Sequence, residues 1–394
     1  MIKSIDLIHG IAGLFSDGKY RDRLISELRE YLGDRHIFLL SSGKAALTLI
    51  LRALHAMHPG RNEVIIPAYT CYSVPSAIVK SGLNIVPCDV DPETLGFDTN
   101  GLIKKITDKT LCIIPTHFFG IPADMFQMRK IGREKGVLIV EDAAQAMGGY
   151  FQGKKLGTLG DISFFSLGRG KNITCGGGGI IATDSDAIAE AISSIYSDLP
   201  VSSFLTDLKN IASLFLMSLF IHPALYWLPA SLPFLKLGQT IFDRDFPVKR
   251  LSGSKAGILR HWRCRLETSN EARKNISSSL RAYLGTEKPE NGEVPLLRFP
   301  VICATQDDRD DHFARLRDIG MGASKMYPGP VTEIPEISDI FTGSKFPGAK
   351  ALSGRLLTVP THYLVHIRDI ERIGELLKPS VDKRQTDLLI EGNG

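Results

Sequence analysis

Paired cysteines are missing from this 394-residue chain. Its six cysteines, Cys71, Cys88, Cys112, Cys175, Cys264 and Cys303, are scattered, and none stands in a CxxC pair. That spacing indicates neither a zinc site nor a disulfide framework, so no metal is expected and the thiols read as free, in a reducing compartment. A surplus of one charge is missing too. The 47 basic side chains stand against 43 acidic ones, a net charge of +4. Without a basic stripe interleaved with aromatics, that balance does not argue for nucleic acid as a partner. The N-terminus, Met1-Ile2-Lys3-Ser4-Ile5-Asp6, has no apolar signal core, and the expected location is the cytoplasm. Charge itself is missing from Asn210 to Leu235, where no Lys, Arg, Asp or Glu occurs. A spanning helix needs roughly 20 uninterrupted apolar residues, and Pro223, Pro229 and Pro233 break this run. Two readings stay open. In one, 210–235 is a helical hairpin buried against the body or a partner subunit. In the other, it makes peripheral contact with a membrane face, with Tyr226 and Trp227 at headgroup level and Lys236, Arg244, Lys249 and Arg250 nearby.

What is present is an ordinary globular composition, 43% apolar and 23% charged, long enough for two domains. Apolar strands alternate with helical patterns over the first half. Strands are expected at Ile37–Leu40, Glu63–Pro67, Asn84–Cys88, Leu111–Thr116 and Val137–Val140. Such alternation predicts a largely parallel sheet covered on both faces, with ligands beyond the carboxyl ends of its strands. Ser42-Gly43, Tyr69-Thr70, His117 and Asp142-Gln145 all fall just after a strand and would converge on one edge. Ser41-Ser42-Gly43-Lys44 stands at a strand-to-helix turn. A helix N-terminus offers free N–H groups and a favourable dipole to a phosphate there, although a plain N-cap serine explains the same residues.

The stretch Gly160-Asp161-Ile162-Ser163-Phe164-Phe165-Ser166 reads as an apolar strand. It breaks into a Gly-rich turn holding Lys171, and a second strand, Ile180-Ile181-Ala182-Thr183, follows. Schiff-base chemistry needs one partly desolvated amine, and Lys171 is the candidate; a hairpin lysine facing water is the plain alternative. Asp142 follows four apolar residues and Glu141, an unfavourable position for a carboxylate without a partner. It either caps a turn or pairs with a protonated ring nitrogen, as in a pyridoxal phosphate enzyme. Lys171, Asp142 and the Ser42-Gly43-Lys44 turn, with Ser166, would supply the amine, the carboxylate and the phosphate cup.

On these residues the chain resembles the pyridoxal-phosphate sugar aminotransferases of the DegT/DnrJ/StrS type. The resemblance runs through Ser41–Leu47, Pro67-Ala68-Tyr69-Thr70, His117–Asp124, Glu141–Gly148, Gly160–Ser163 and Lys171-Asn172. It continues near the C-terminus through Phe346–Ala349 and Leu357–His362. It implies an α/β fold of the aspartate aminotransferase kind (fold type I). The expected division is a mostly parallel large domain over 1–245, a smaller α+β domain over 246–380 and a mobile tail over 381–394. It implies that Lys171 carries pyridoxal 5'-phosphate covalently and moves protons, and that Asp142 pairs with the pyridine nitrogen. Gln145 would contact the phenolic oxygen, while Ser42, Gly43, Lys44 and Ser166 hold the phosphate. It further implies a homodimer that takes an amino group from an amino acid, glutamate being the expected donor. The acceptor would be a keto sugar on a nucleotide, for polysaccharide or amino-sugar synthesis. Relatives with histidine in place of the lysine act as dehydratases, so Lys171 favours transamination over that alternative.

The chain departs from the family pattern at several positions. Lys44 stands where threonine is usual, with an ammonium available in place of a hydroxyl. Cys71 stands where an aromatic usually stacks on the cofactor ring, leaving Tyr72 as the expected substitute. Leu167-Gly168-Arg169-Gly170 replaces the usual His-Pro turn, and the segment that reaches a neighbouring subunit's phosphate site is unrecognisable. These departures leave room for a third reading, a non-catalytic, membrane-associated scaffold with the same fold. In the C-terminal part, Leu251–Leu284 reads as one long helix and Met326-Tyr327-Pro328 as a strand.

Overall fold

The computed structural model describes residues 2–33, 36–220, 240–286, 294–343 and 345–377. Seven strands form the main sheet: β1 (His36–Leu40), β2 (Glu63–Pro67), β3 (Asn84–Cys88), β4 (Thr110–Ile113), β5 (Leu138–Asp142), β6 (Ile162–Ser166) and β7 (Gly179–Thr183). Their order across the sheet is β1-β7-β6-β5-β4-β2-β3. The β3–β2, β2–β4, β4–β5 and β5–β6 pairings are parallel, and β7 alone runs against both of its neighbours. The expected mostly parallel sheet is therefore present, and the Lys171 stretch joins its one antiparallel hairpin, β6 to β7.

Helices cover both faces, which explains why Val64, Ile65 and Ile66, or Leu111, Cys112 and Ile113, are buried in succession rather than alternately. The helix Gly43–Met57 packs on one face and buries almost its whole length. Met125–Lys135 covers part of the other, with Met128 and Ile131 against Ile65, Ile113 and Ile139. The N-terminal helices Ser4–Gly13 and Asp17–Leu32 cover the β1 end, the latter through Leu24, Leu28, Tyr31 and Leu32.

A second sheet pairs β8 (Arg298–Ile302) with β9 (Leu356–Pro360), antiparallel, and carries the helices Gln306–Asp318, Pro347–Arg355 and Ile367–Leu377. Two expectations in this part are corrected. Leu251–Leu284 is two helices, Gly253–Ile258 and Trp262–Leu284. The first docks its glycine backbone against Ser4–Gly13: a Cβ on Gly257 would lie 2.1 Å from the His9 carbonyl oxygen. Arg265 then donates to the Ile258 carbonyl at 2.8 Å and closes the helix end. Met326-Tyr327-Pro328 is not a strand. Met326 takes a left-handed φ of 57°, and only Ser324 bridges to Thr358.

From 210 to 220 the uncharged segment is helical, the end of Phe204–Phe220. Its Ile211 and Leu214 face inward, while Phe215, Leu216 and Leu219 are exposed. The remainder of that segment, with Tyr226, Trp227 and Lys236, and the expected tail lie outside the described residues. Among those described, no helix is long and apolar enough to cross a membrane.

Candidate active site

The carboxyl end of β6 meets the N-terminus of Gly43–Met57, and β5 and β4 follow beside it in the sheet. At that helix start Ser42 Oγ accepts the Ala45 N–H at 3.1 Å, and the Ser42 carbonyl takes the Ala46 N–H at 3.0 Å. The N–H groups of Gly43 and Lys44 are left at the open first turn, where the helix dipole favours an anion. Backbone proximity builds the wall of this cup. A Cβ on Gly43 would lie 3.1 Å from the Ser166 Cβ, and one on Gly179 only 2.3 Å from the Ser42 carbonyl oxygen. Glycine at 179 thus lets β7 pass beneath the turn. The structure places Ser42, Gly43 and Lys44 beside Ser166. The Lys44 ammonium, however, is turned to Asp243 Oδ2 at 2.6 Å.

Lys171 sits half-buried in the β6–β7 loop, which is tied down by two helices, Trp262–Leu284 and Phe204–Phe220. Asn172 Nδ2 donates to Asn270 Oδ1 at 3.3 Å, and Arg265 donates to the Thr174 carbonyl at 2.8 Å. Arg169 reaches Ser213 Oγ at 2.6 Å, and Asn210 Nδ2 donates to the Cys175 carbonyl at 3.2 Å. The helix Phe204–Phe220 therefore clamps the lysine loop. Gly176, at φ 86°, admits Asn210: a Cβ there would lie 2.4 Å from Asn210 Oδ1. None of these partners is visible as a motif in the sequence.

Asp142 ends β5 with 4% exposure. Its Oδ1 accepts the Ala144 N–H at 3.0 Å. Its backbone bonds on both sides, N–H to the Pro115 carbonyl at 2.9 Å and carbonyl to the His117 N–H at 3.1 Å. Burial raises the carboxyl above its ordinary range; the Ala144 N–H, the Lys171 charge and His117 oppose that without cancelling it. A cation against this carboxylate would restore its ionised form, which is the property expected of a ring-nitrogen partner.

Its neighbour Glu141 is fully buried and fully used. It accepts from His117 Nε2 at 2.8 Å, and from the N–H groups of Gly157, Leu159 and Gly160 at 2.5, 2.7 and 2.8 Å. His117 Nδ1 accepts the Ala123 N–H at 3.0 Å, so the ring proton sits on Nε2, facing Glu141. Burial pushes the Glu141 carboxyl up, but the His117 bond and the backbone donors outweigh it and bring it below its usual value. This pair ties the residue after β4 and the end of β5 to the loop that leads into β6, and so positions Asp142.

Gln145 is buried. Its Nε2 donates to the Tyr327 hydroxyl at 3.0 Å, while its Oε1 and the buried Thr70 Oγ1 have no hydrogen-bond partner among the described residues. Tyr327 packs 5.3 Å from Tyr69 and 6.5 Å from Phe118, centre to centre. It joins the site from the far end of the chain, and nothing in the sequence singled it out. Tyr72 is buried, and its hydroxyl lies against the backbone at Gly329, near Glu333 and Glu336. A cavity of about 370 Å³ opens beside Thr116, lined among others by Asp91, Phe97 and Gln127, and none of the expected site residues lines it.

A buried carboxylate with an amine acting on it, an anion cup with free N–H groups, and two unpartnered buried oxygens fit the polar groups of a pyridoxal phosphate molecule. Comparison with known proteins points the same way. The DegT/DnrJ/EryC1/StrS aminotransferase family matches residues 10–198. A GDP-perosamine synthase of Vibrio cholerae is 35% identical over 175 residues, 44% of this chain and 47% of that protein. Its counterpart in Caulobacter vibrioides is 36% identical over 174 residues, 44% and 46% respectively. The match thus spans about half the length of these curated relatives. Among solved structures, the Helicobacter pylori aminotransferase PseC superposes with a TM-score of 0.76 over 96% of both chains, at 16% identity. The fold is that of the sugar aminotransferases.

Proposed function

From the premise that residues 10–198 carry the DegT/DnrJ/EryC1/StrS aminotransferase pattern, we propose that this chain is a pyridoxal-phosphate-dependent aminotransferase. It would take the amino group of an amino acid, glutamate being the expected donor, and deliver it to a keto sugar carried on a nucleotide. The observation that carries this reading is the convergence of Lys171, Asp142 and the Gly43–Ser166 cup on one edge of the sheet. When bound, the cofactor supplies the electron sink for breaking a C–H bond next to nitrogen. The protein's part is positional. The Gly43 and Lys44 N–H groups and the Ser166 hydroxyl would hold the phosphate. Asp142 would hold a proton on the ring nitrogen, and Lys171 Nζ would carry the cofactor and then move the proton. Gln145, fixed by Tyr327, would offer its free Oε1 toward the ring substituents.

We propose further that two copies associate through the exposed apolar face of helices Ser4–Gly13 and Phe204–Phe220. Ile5, Ile8, Ile11, Phe15, Phe204, Leu205, Leu208, Phe215, Leu216 and Leu219 are all exposed there, and Phe15 and Phe204 touch at 6.2 Å between ring centres. Contiguous apolar faces of this extent mark protein contacts. This arrangement would set the interface against the helix that clamps the lysine loop.

The test is spectroscopic. Wild-type protein given pyridoxal phosphate should develop a band near about 420 nm that borohydride fixes covalently. Lys171→Ala should not. Glutamate should then discharge the band in wild type. Absence of the band in wild type would end the enzyme reading, and a band indifferent to every amino acid would end the transaminase reading.

A further inference from the structure

Lys44 is the second residue of the helix that forms the phosphate cup, and its charge is already engaged. Its Nζ lies 2.6 Å from Asp243 Oδ2 and 4.4 Å from the centre of the Phe246 ring. Lys80 reaches the same ring at 4.9 Å and donates to the Arg244 carbonyl at 3.0 Å. The carboxylate is itself held in place. The Asp243 N–H donates to Ser76 Oγ at 3.0 Å, and Oδ1 accepts the Asp245 N–H at 2.9 Å. Ser76 Oγ in turn donates to the Tyr72 carbonyl at 2.7 Å. The same segment is stitched to the cup, since the Ser41 N–H donates to the Lys249 carbonyl at 2.8 Å.

A carboxylate beside a helix N-terminus that binds a phosphate ester is electrostatically unfavourable unless something cancels it. Lys44 does so. Its hydrogen bond is the largest influence bringing the Asp243 carboxyl below its usual range, so the two form an ion pair. The geometry is that of a counter-charge kept one residue from Gly43 and withheld from the cup by a fixed acid.

We propose that Asp243 sets the charge of the phosphate cup by holding the Lys44 ammonium. The phosphate is then bound by backbone N–H groups and Ser166, and removing the carboxylate releases Lys44 to the phosphate. This rests on the cofactor reading above. It makes Asp243 a positioning residue with a signature that a merely structural role lacks: its effect depends on the ligand's phosphate.

The experiment compares dissociation constants for pyridoxal phosphate and for pyridoxal, which lacks the phosphate, by absorbance titration. The proteins are wild type, Asp243→Asn, Lys44→Met and the double variant, each checked for native circular dichroism. Partly exposed ion pairs contribute up to about 1 kcal/mol, roughly fivefold in binding. Asp243→Asn should therefore bind pyridoxal phosphate about fivefold tighter. Lys44→Met, which leaves the carboxylate uncancelled, should bind it about fivefold more weakly. The double variant should return to within about twofold of wild type, and pyridoxal should be bound equally by all four. Equal pyridoxal phosphate affinities, or equal shifts for both ligands, would overturn the inference while leaving the cofactor reading intact. A wild type that binds neither would overturn both.

Discussion

Glu141 and Asp142 are adjacent carboxylates with opposite fates, and the difference is hydrogen bonding. Glu141 has one imidazole and three backbone donors; Asp142 has one backbone donor, from Ala144. Both are buried, so solvent cannot level the difference. Because the folded pKa of Glu141 lies below its ordinary value, its contribution to stability is complete above the unfolded carboxylate range, about pH 4.3. It is lost as the pH falls through the lower folded value. Glu141→Gln replaces an acceptor oxygen by an NH2 group among N–H donors, at a cost of about 3 kcal/mol at pH 7. Urea unfolding from pH 3 to 7 should give that loss at neutral pH and a shallower acid dependence than wild type. An unchanged midpoint would show that the His117–Glu141 pair does not hold the strand ends. Asp142, raised rather than lowered, contributes with the opposite sign, and a bound ring cation should bring its carboxyl back down.

Among the elements, the close passage of β7 under the Ser42–Gly43 turn bears directly on the cup. A methyl group on Gly179 would meet the Ser42 carbonyl oxygen at 2.3 Å, and a backbone atom cannot swing aside as a side chain can. Gly179→Ala should destabilise the protein by about 2 kcal/mol, and the displacement should open the phosphate cup. Thermal unfolding together with pyridoxal phosphate titration checks both parts. Loss of stability with unchanged affinity would separate the strand from the cup. The clamp of the helix Phe204–Phe220 on the lysine loop is also a property of elements. One face of that helix serves Cys175 and Arg169, and the other lies open.

At the scale of the whole molecule, that open face and the outer face of Ser4–Gly13 form the proposed subunit contact. Leu205 and Leu216 are 67% and 51% exposed, so charges there leave the single chain's core untouched. Leu205→Lys with Leu216→Lys should convert a dimer into a monomer in sedimentation velocity, with native circular dichroism retained. A double variant that still sediments as a dimer would place the interface elsewhere.

Residues 36–142 were legible from the sequence because each strand there is a short apolar run bounded by turn residues, with a helix between successive strands. The same local logic put Ser42-Gly43, Asp142 and Lys171 at strand ends, and a parallel sheet brings strand ends to one edge whatever the loops do. What the sequence could not settle depends on contacts between distant residues. The break at Leu259–His261 comes from Gly257 docking on His9 and from Arg265 closing the helix end, not from a local stop signal. Tyr327 reaches Gln145 only because the second sheet packs where it does. Lys44 meets Asp243, 199 residues away, and the Tyr72 hydroxyl meets the backbone at Gly329. Period and turn chemistry act over a few residues and were readable. Which distant partner satisfies a buried charge is decided by packing, and only the tertiary structure carries it.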